Sequence, residues 1–312
     1  MNTANIHSIT HTLLQDYQCR KGRQYKKRFY AFIEKFAKDN NIDVCFQTDH
    51  RIISSTNIVF NDPDTAKLLI TAHYDTCAVL PFPNICTPLN FGMYIAYNIL
   101  IVVLMYGSIF LIGDLLELLN IASAAIKSVK LFMLLFFLYW MIFGKSSHHT
   151  ANDNTSGVAA VLSLIASLDH EERKNVCFVL FDNEEAGLLG SSSFSKTFKH
   201  FRTVPVFNLD CVGDGDHFLF KYRKKDRNMS FINTCLALQK ENPEMIVTSR
   251  GYYPSDQENF KHGIGIAAMK RDRNFGIYYF SRIHTKHDTV LQEENIVKIV
   301  EILATVIHSL TE

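Results

Sequence analysis

Unbroken apolar runs alternate along this chain with stretches whose apolar positions recur at helical spacing. Ile52–Phe60 and Lys67–Ala72 predict strands, the second carrying the run LLITA expected of a strand buried on both faces. Asn175–Phe181 (NVCFVLF) repeats that signature, and Val204–Leu209, His217–Lys221 and Ile264–Met269 read as further strands. Between them, Ser156–Leu168 spaces Val158, Val161, Leu162 and Ile165 along one helical face, and Arg227–Lys240 is also helical in pattern. Thr289–Ser309 places Ile296, Ile299, Val300, Leu303 and Ile307 on one face, with Asp288 as its expected N-cap. Strands alternating with helices define an α/β fold: a mixed, mostly parallel central sheet with helices on both faces. The first 40 or so residues predict a helix that packs on the sheet or lies on a membrane.

One block breaks the alternation. Phe91–Gly113 runs for 23 residues without a charge, 18 of them apolar. As a helix it would be roughly 35 Å long, enough to cross the core of a bilayer. Leu131–Phe143 is apolar at all 13 positions but too short to span; extended back to Ile121 it includes Lys127 and Lys130, which would have to snorkel. The segment DLLELLN lies between the two runs. The chain therefore divides into an α/β part, residues 1–80 and 148–312, and an inserted apolar helical hairpin, residues 81–147. Residues 91–143 are expected to meet membrane lipid, either crossing twice or dipping into one leaflet. The alternative is a buried helical pair at the interface of a homo-oligomer.

Composition narrows the partners. The 312 residues suit one large domain, or one domain with an insertion, and 47% hydrophobic content supports a sizeable core. Lys and Arg exceed Asp and Glu by one, so no basic nucleic-acid-binding surface is expected. Seven cysteines without a CxxC pair argue for reduced thiols in the cytosol rather than a disulfide framework. The N-terminal segment lacks the apolar core of a signal peptide, so the α/β part is expected on the cytosolic side of the membrane. The basic run Arg20, Lys21, Arg23, Lys26, Lys27 and Arg28 reads first as a solvated helix face, and second as an attraction to acidic lipid.

The chemistry lies in five short motifs: TAHYDT (Thr71–Thr76), ANDNTSGVAAV (Ala151–Val161), FDNEEAGLLGS (Phe181–Ser191), NLDCVG (Asn208–Gly213) and IHTKHDT (Ile283–Thr289). Each has a plain structural reading: a hydrogen-bonded histidine, first-turn acids of a helix, a turn or a cap. Most follow predicted strands, where α/β sheets place their sites. Together they supply His73, Asp75, Asp153, Glu184, Glu185, Asp210, His284 and Asp288, imidazoles and carboxylates suited to zinc or a similar borderline metal.

In this order the motifs resemble those of the di-zinc aminopeptidases of the aminopeptidase S and aminopeptidase Y type, in clan MH of the metallopeptidases: H-x-D, D-N-x-S-G, E-E-x-G-L-x-G-S, N-x-D and H-T-x-x-D-T. Ser255–Met269 resembles the family's S-D-x-x-x-F segment, although neither Gly263–Ile264 nor Gly265–Ile266 is followed by the family's proline. The resemblance covers roughly residues 40–80 and 148–310 and implies the zinc-peptidase fold. It implies two divalent metal ions, zinc foremost, with Asp153 bridging them, His73 and Asp210 completing one site, and Glu185 and His284 the other. It makes Glu184 the general base and acid, sets Asp75 beside it in the catalytic group, and has Asp75 and Asp288 orient the two imidazoles. Three carboxylate ligands leave one positive charge on two divalent ions, which a bound hydroxide neutralises. The implied substrate is a peptide with a free N-terminus, and a hairpin that lies beside the mouth of the site would favour an apolar one; Tyr252, Tyr253 and Phe260 are candidates for its pocket, with a plain core role as the alternative. Glutaminyl cyclases, which use one zinc, and an inactive peptidase-like binding protein are the competing readings. The chain departs from the family between His73 and Asp153, which lie 80 residues apart where the family has a much shorter loop. Both ligands must reach one metal pair, so the hairpin has to leave and return on one side.

Overall fold

The computed structural model describes residues 3–50, 53–80 and 82–311. Two helices open it, α1 (Thr3–Asp16) and α2 (Arg23–Asp39), which bury Ile6, Leu13, Phe29, Ile33 and Phe36. The N-terminal region is thus two helices packed into the core rather than one. The basic run divides accordingly: Arg20, between the helices, is fully buried, and Lys26 pairs with Asp182, while Arg23, Lys27 and Arg28 stay exposed.

The sheet is built from β1 (Val44–Asp49), β2 (Ser55–Phe60), β3 (Leu68–His73), β4 (Val176–Phe181), β5 (Val206–Leu209), β6 (His217–Lys221), β7 (Met245–Thr248), β8 (Gly263–Arg271) and β9 (Tyr278–Tyr279). Strand order is β1-β2-β4-β3-β5-β8-β6-β7, with β9 paired to β8. The centre, β4-β3-β5-β8, is parallel; β1, β2 and β9 are antiparallel to their neighbours, and β6 runs antiparallel to β8. Every residue of β3 and β4 is buried, which is why their sequences are continuous apolar runs. Successive side chains still divide between two cores. Leu68, Ile70 and Ala72 join the layer of α1, α5 (Gly157–Ser167) and α9 (Glu293–Thr311), while Leu69, Val179 and Phe181 join Phe194 of α7 (Leu189–Thr197) on the other face. The α6 turn (His170–Lys174) is closed by a capping box between Asp169 and Glu172, and α8 (Ser230–Glu241) packs against α9.

Two expected boundaries move. The last helix begins at Glu293, not at Thr289, and Asp288 does not cap it; its carboxylate is engaged in the site below. Glu184 and Glu185 precede α7 in a turn, so first-turn stabilisation does not account for them.

Between β3 and α5 the chain forms α3 (Phe91–Leu118) and α4 (Ser123–Phe143), roughly 42 and 32 Å long. Asn90 caps α3 by accepting from the Met93 N–H at 3.0 Å. The helices pack on each other through Ile109 and Ile126, and Lys130 lies over the Phe110 ring at 4.9 Å. Their other faces expose large apolar side chains, among them Leu104, Leu111, Phe132 and Tyr139. Among the described residues these two helices are long and apolar enough to cross a membrane. Outgoing and returning chains meet at the base: Ala78 bridges Ser146, and the Val79 N–H donates to the Lys145 carbonyl at 3.0 Å.

Candidate metal centre

Three adjacent parallel strands deliver the site. β3 ends on His73, β4 runs out into Asp182–Glu185, and β5 into Asp210, so residues far apart in sequence meet at neighbouring carboxyl ends. Asp153 arrives from the irregular turn at 151–156 that leads into α5, and His284 from the loop after β9. His284 holds φ of +58°, a left-handed conformation that a non-glycine residue keeps only where its surroundings impose it.

The geometry centres on one carboxylate. Asp153 Oδ1 lies 3.3 Å from His73 Nε2, and its Oδ2 lies 2.9 Å from His284 Nε2. Asp210 Oδ1 flanks His73 Nε2 at 3.6 Å, and Glu185 Oε2 flanks His284 Nε2 at 3.3 Å. Donor atoms of His73, Asp153 and Asp210 all fall within 4.8 Å of one another, as do those of His73, Glu184 and Glu185.

The supporting aspartates hold backbone as well as side chains. Asp75 places its carbonyl 3.2 Å and its Oδ1 3.6 Å from His73 Nδ1, while its carboxylate accepts from the Glu184 and Glu185 N–H groups at 3.0 and 3.2 Å. The two oxygens of Asp288 accept from the Asn152 and Asp153 N–H groups at 2.8 and 2.9 Å, which fixes the turn that carries Asp153.

Electrostatics follow from crowding. Burial raises the Glu184 carboxyl well above the usual carboxylate range; Glu185, Asp210 and Asp256 add to the rise against the pull of His73. Glu185 is pushed up to about 8, again chiefly by burial, and Asp288 to about 7 by burial and Asp153. Asp153 moves the other way: burial disfavours its charge, but the two imidazoles hold its carboxyl below the ordinary range. Burial likewise disfavours charge on His73 and His284, yet the surrounding carboxylates raise both, His284 to about 9. So many facing carboxylates ask for a cation, and Glu185 Oε1 is buried without a hydrogen-bond partner among the described residues. Imidazole and carboxylate donors in this number fit a borderline divalent metal such as zinc.

Sequence reasoning missed several participants. Cys77 sets its sulfur within 4.8 Å of donor atoms of Glu185 and His284. The Asn152 side-chain oxygen accepts from Gly213 and Asp214, and that of Asn154 from Gly157 and Cys211, tying the Asp153 turn to the chain around Asp210. Tyr253, expected only as a pocket residue, also donates its hydroxyl to the Asp210 carbonyl at 2.8 Å. Asp256 is fully buried, with both carboxylate oxygens unpartnered among the described residues. The D-N-x-S-G and S-D segments held the signal for Asn154 and Asp256; nothing in the local sequence marks Cys77. Of the pocket candidates, Tyr252 and Tyr253 line the cavity above the cluster, whereas Phe260 packs in the core against Phe181 and Phe194.

The sheet, with acids and imidazoles gathered at the carboxyl ends of its central strands, defines an α/β protein of the zinc-peptidase type. Residues 139–307 match peptidase family M28, and the chain belongs to that family. A search of curated proteins gives no match. Among solved structures, the chain is similar to a Zn-dependent exopeptidase from Parabacteroides distasonis at 13% identity and a TM-score of 0.63, covering 98% of this chain and 97% of that one. It is similar to a glutaminyl cyclase from Porphyromonas gingivalis at 15% identity and a TM-score of 0.63, covering 99% and 98%. It is also similar to the LapA aminopeptidase of Legionella pneumophila at 13% identity and a TM-score of 0.57, covering 99% and 70%. At these identities the likeness is one of fold.

Proposed function

We propose that the protein is a metal-dependent aminopeptidase, held at a membrane by its hairpin, with the site on the cytosolic side. The observation that carries this reading is Asp153 presenting one oxygen to each of two imidazoles, at 3.3 and 2.9 Å, with Asp210 and Glu185 alongside. That arrangement suits two divalent ions: His73, Asp153 and Asp210 would hold one, and Asp153, Glu185 and His284 the other. Bound there, the ions supply Lewis acidity toward the scissile carbonyl and lower the pKa of a water. Glu184 accepts the proton of the attacking water on its carboxylate and returns it to the leaving amine. Asp75 keeps the Glu184 backbone and the His73 ring in register, and Asp288 does the same for the Asp153 turn.

Metal content together with hydrolysis of N-terminally free and N-blocked peptides tests the reading on detergent-purified protein. The expected result is about two ions per chain and cleavage of free N-termini only. Glu184→Gln should lower turnover by roughly 10²- to 10⁴-fold with its metal retained. Cyclisation of N-terminal glutamine by a one-metal protein would replace the peptidase reading, and a metal-loaded protein that cleaves no peptide would refute it.

A further inference from the structure

The cavity over the cluster, about 210 Å³, is not closed by the α/β domain alone. Tyr253, Phe280 and Ile283 form one wall, while another comes from the insert: the stretch around Thr87 and Pro88 and, on α3, Tyr94 and Asn98. Tyr94 and Asn98 sit four residues apart, one above the other on one helix face, and Asn98 donates its amide to the Tyr94 carbonyl at 2.8 Å. The insert is fastened at this place. Cys86 and Phe280 exchange backbone hydrogen bonds at 2.9 and 3.0 Å, and the Tyr252 N–H donates to the Pro88 carbonyl at 2.8 Å. The Tyr252 ring packs on Phe91 and Tyr94 at 5.5 and 5.6 Å between centroids. Gly251, at φ of +91°, permits this approach, because a Cβ there would lie 2.3 Å from the Pro88 carbonyl oxygen.

Resting on the aminopeptidase reading, we propose that the first two turns of α3 are the side-chain subsite of the pocket, with Tyr94 and Asn98 selecting substrates whose N-terminal residue is large, apolar and uncharged. Outside the cluster, none of the described residues lining the cavity carries a charge. A lysine or glutamate side chain entering it sheds water without gaining an ion partner, whereas a leucine or phenylalanine side chain meets the faces of Tyr94, Tyr252, Phe280 and Ile283. The same helix that carries the bilayer-length apolar run therefore also reads the substrate.

The test uses the full-length protein and peptides beginning with Phe, Leu, Ala, Lys or Glu. The wild type should favour Phe and Leu. Tyr94→Ala and Asn98→Leu should change the ratio of kcat/KM between Phe and Ala substrates by about tenfold, mainly through KM, with metal content unchanged. Calorimetry with free phenylalanine and lysine gives a second readout: Tyr94→Ala should lose the preference for binding phenylalanine, and Asn98→Leu, which makes the subsite more apolar, should strengthen it. Val103→Ala, further along α3, should leave both readouts unchanged. Unaltered ratios and unaltered phenylalanine binding in both variants would overturn the subsite while leaving the aminopeptidase intact. A wild type that cleaves no free N-terminus would overturn both.

Discussion

Arg20 shows how much of the site is held by residues outside it. Its side chain is fully buried and donates to the carbonyls of Tyr17 and Tyr74 and, at 3.0 Å, to the Thr155 hydroxyl. Tyr74 lies between His73 and Asp75, and Thr155 belongs to the turn that presents Asp153, so one guanidinium braces two motifs. Burial lowers its pKa to about 10, with Asp75 opposing the fall, so it stays charged at neutral pH. Arg20→Met should destabilise the protein by about 3 kcal/mol, because the carbonyls it satisfies stay buried without a donor. It should also weaken zinc binding; urea unfolding and metal titration measure the two effects. Arg20→Lys should recover little of either, since an ammonium lacks the planar fork that reaches three acceptors. Equal stability of wild type and Arg20→Met would refute this bracing role. From sequence Arg20 reads as one member of a basic surface run, because two of its three acceptors lie 54 and 135 positions away. His73 and Asp210 are legible for the opposite reason, since an acid or histidine at the end of an apolar strand is a local signal, whereas Asp153 and His284, carried on a turn and a loop, stand out only through the order of the motifs.

At the scale of elements, legibility tracks burial. β3 and β4 announce themselves because both faces are covered, and α3 and α4 because they are apolar all round. β1 and β7 carry no such signal; their burial is mixed, as befits strands at the edges of the sheet. The α1 sequence, TANIHSITHTLLQD, buries only Ile6, Thr10 and Leu13, too sparse a stripe to stand out. α5 is covered on all sides, and its start illustrates a packing constraint. A Cβ at Gly157 would lie 2.3 Å from Asn154 Oδ1 and 2.5 Å from the Leu209 carbonyl oxygen, so the helix meets the end of β5 at glycine distance. Gly157→Ala should push the Asp153 turn away from Asp210, costing about 1–3 kcal/mol and lowering metal affinity, as differential scanning calorimetry and zinc titration would register. Unchanged metal affinity would mean that the turn relaxes without moving Asp153. Gly113 offers the contrast: a Cβ there would meet the flexible end of the Lys130 side chain, which can swing aside, so Gly113→Ala should be mild.

At the scale of the whole molecule, the α/β part and the apolar hairpin are joined through one short base. Metal binding should stabilise the α/β part as a unit, because the donors converge only in the folded state; zinc at a hundredfold excess over its Kd should raise Tm by roughly 4 °C for each ion held, and chelation should reverse it. The hairpin adds a separate demand. With Leu104, Leu111, Phe132 and Tyr139 each at least 60% exposed, its outer faces are stable in lipid at about 25 cal/mol per Å² and a liability in water. Because Val79 and Lys145 are hydrogen-bonded at the base, the hairpin can be shortened without opening the domain. Deleting residues 103–136 and closing the helices with a short turn removes most of the apolar length but keeps Tyr94, Asn98 and the Pro88 contact. The full-length protein should remain in the membrane pellet through both a high-salt and an alkaline wash, whereas the shortened protein should be soluble and still prefer Phe over Lys at the substrate N-terminus. Release of the full-length protein by salt alone would assign attachment to the exposed basic residues of α2, whose attraction salt screens. Solubility with loss of the Phe preference would mean that the outer hairpin, not only its first two turns, shapes the pocket.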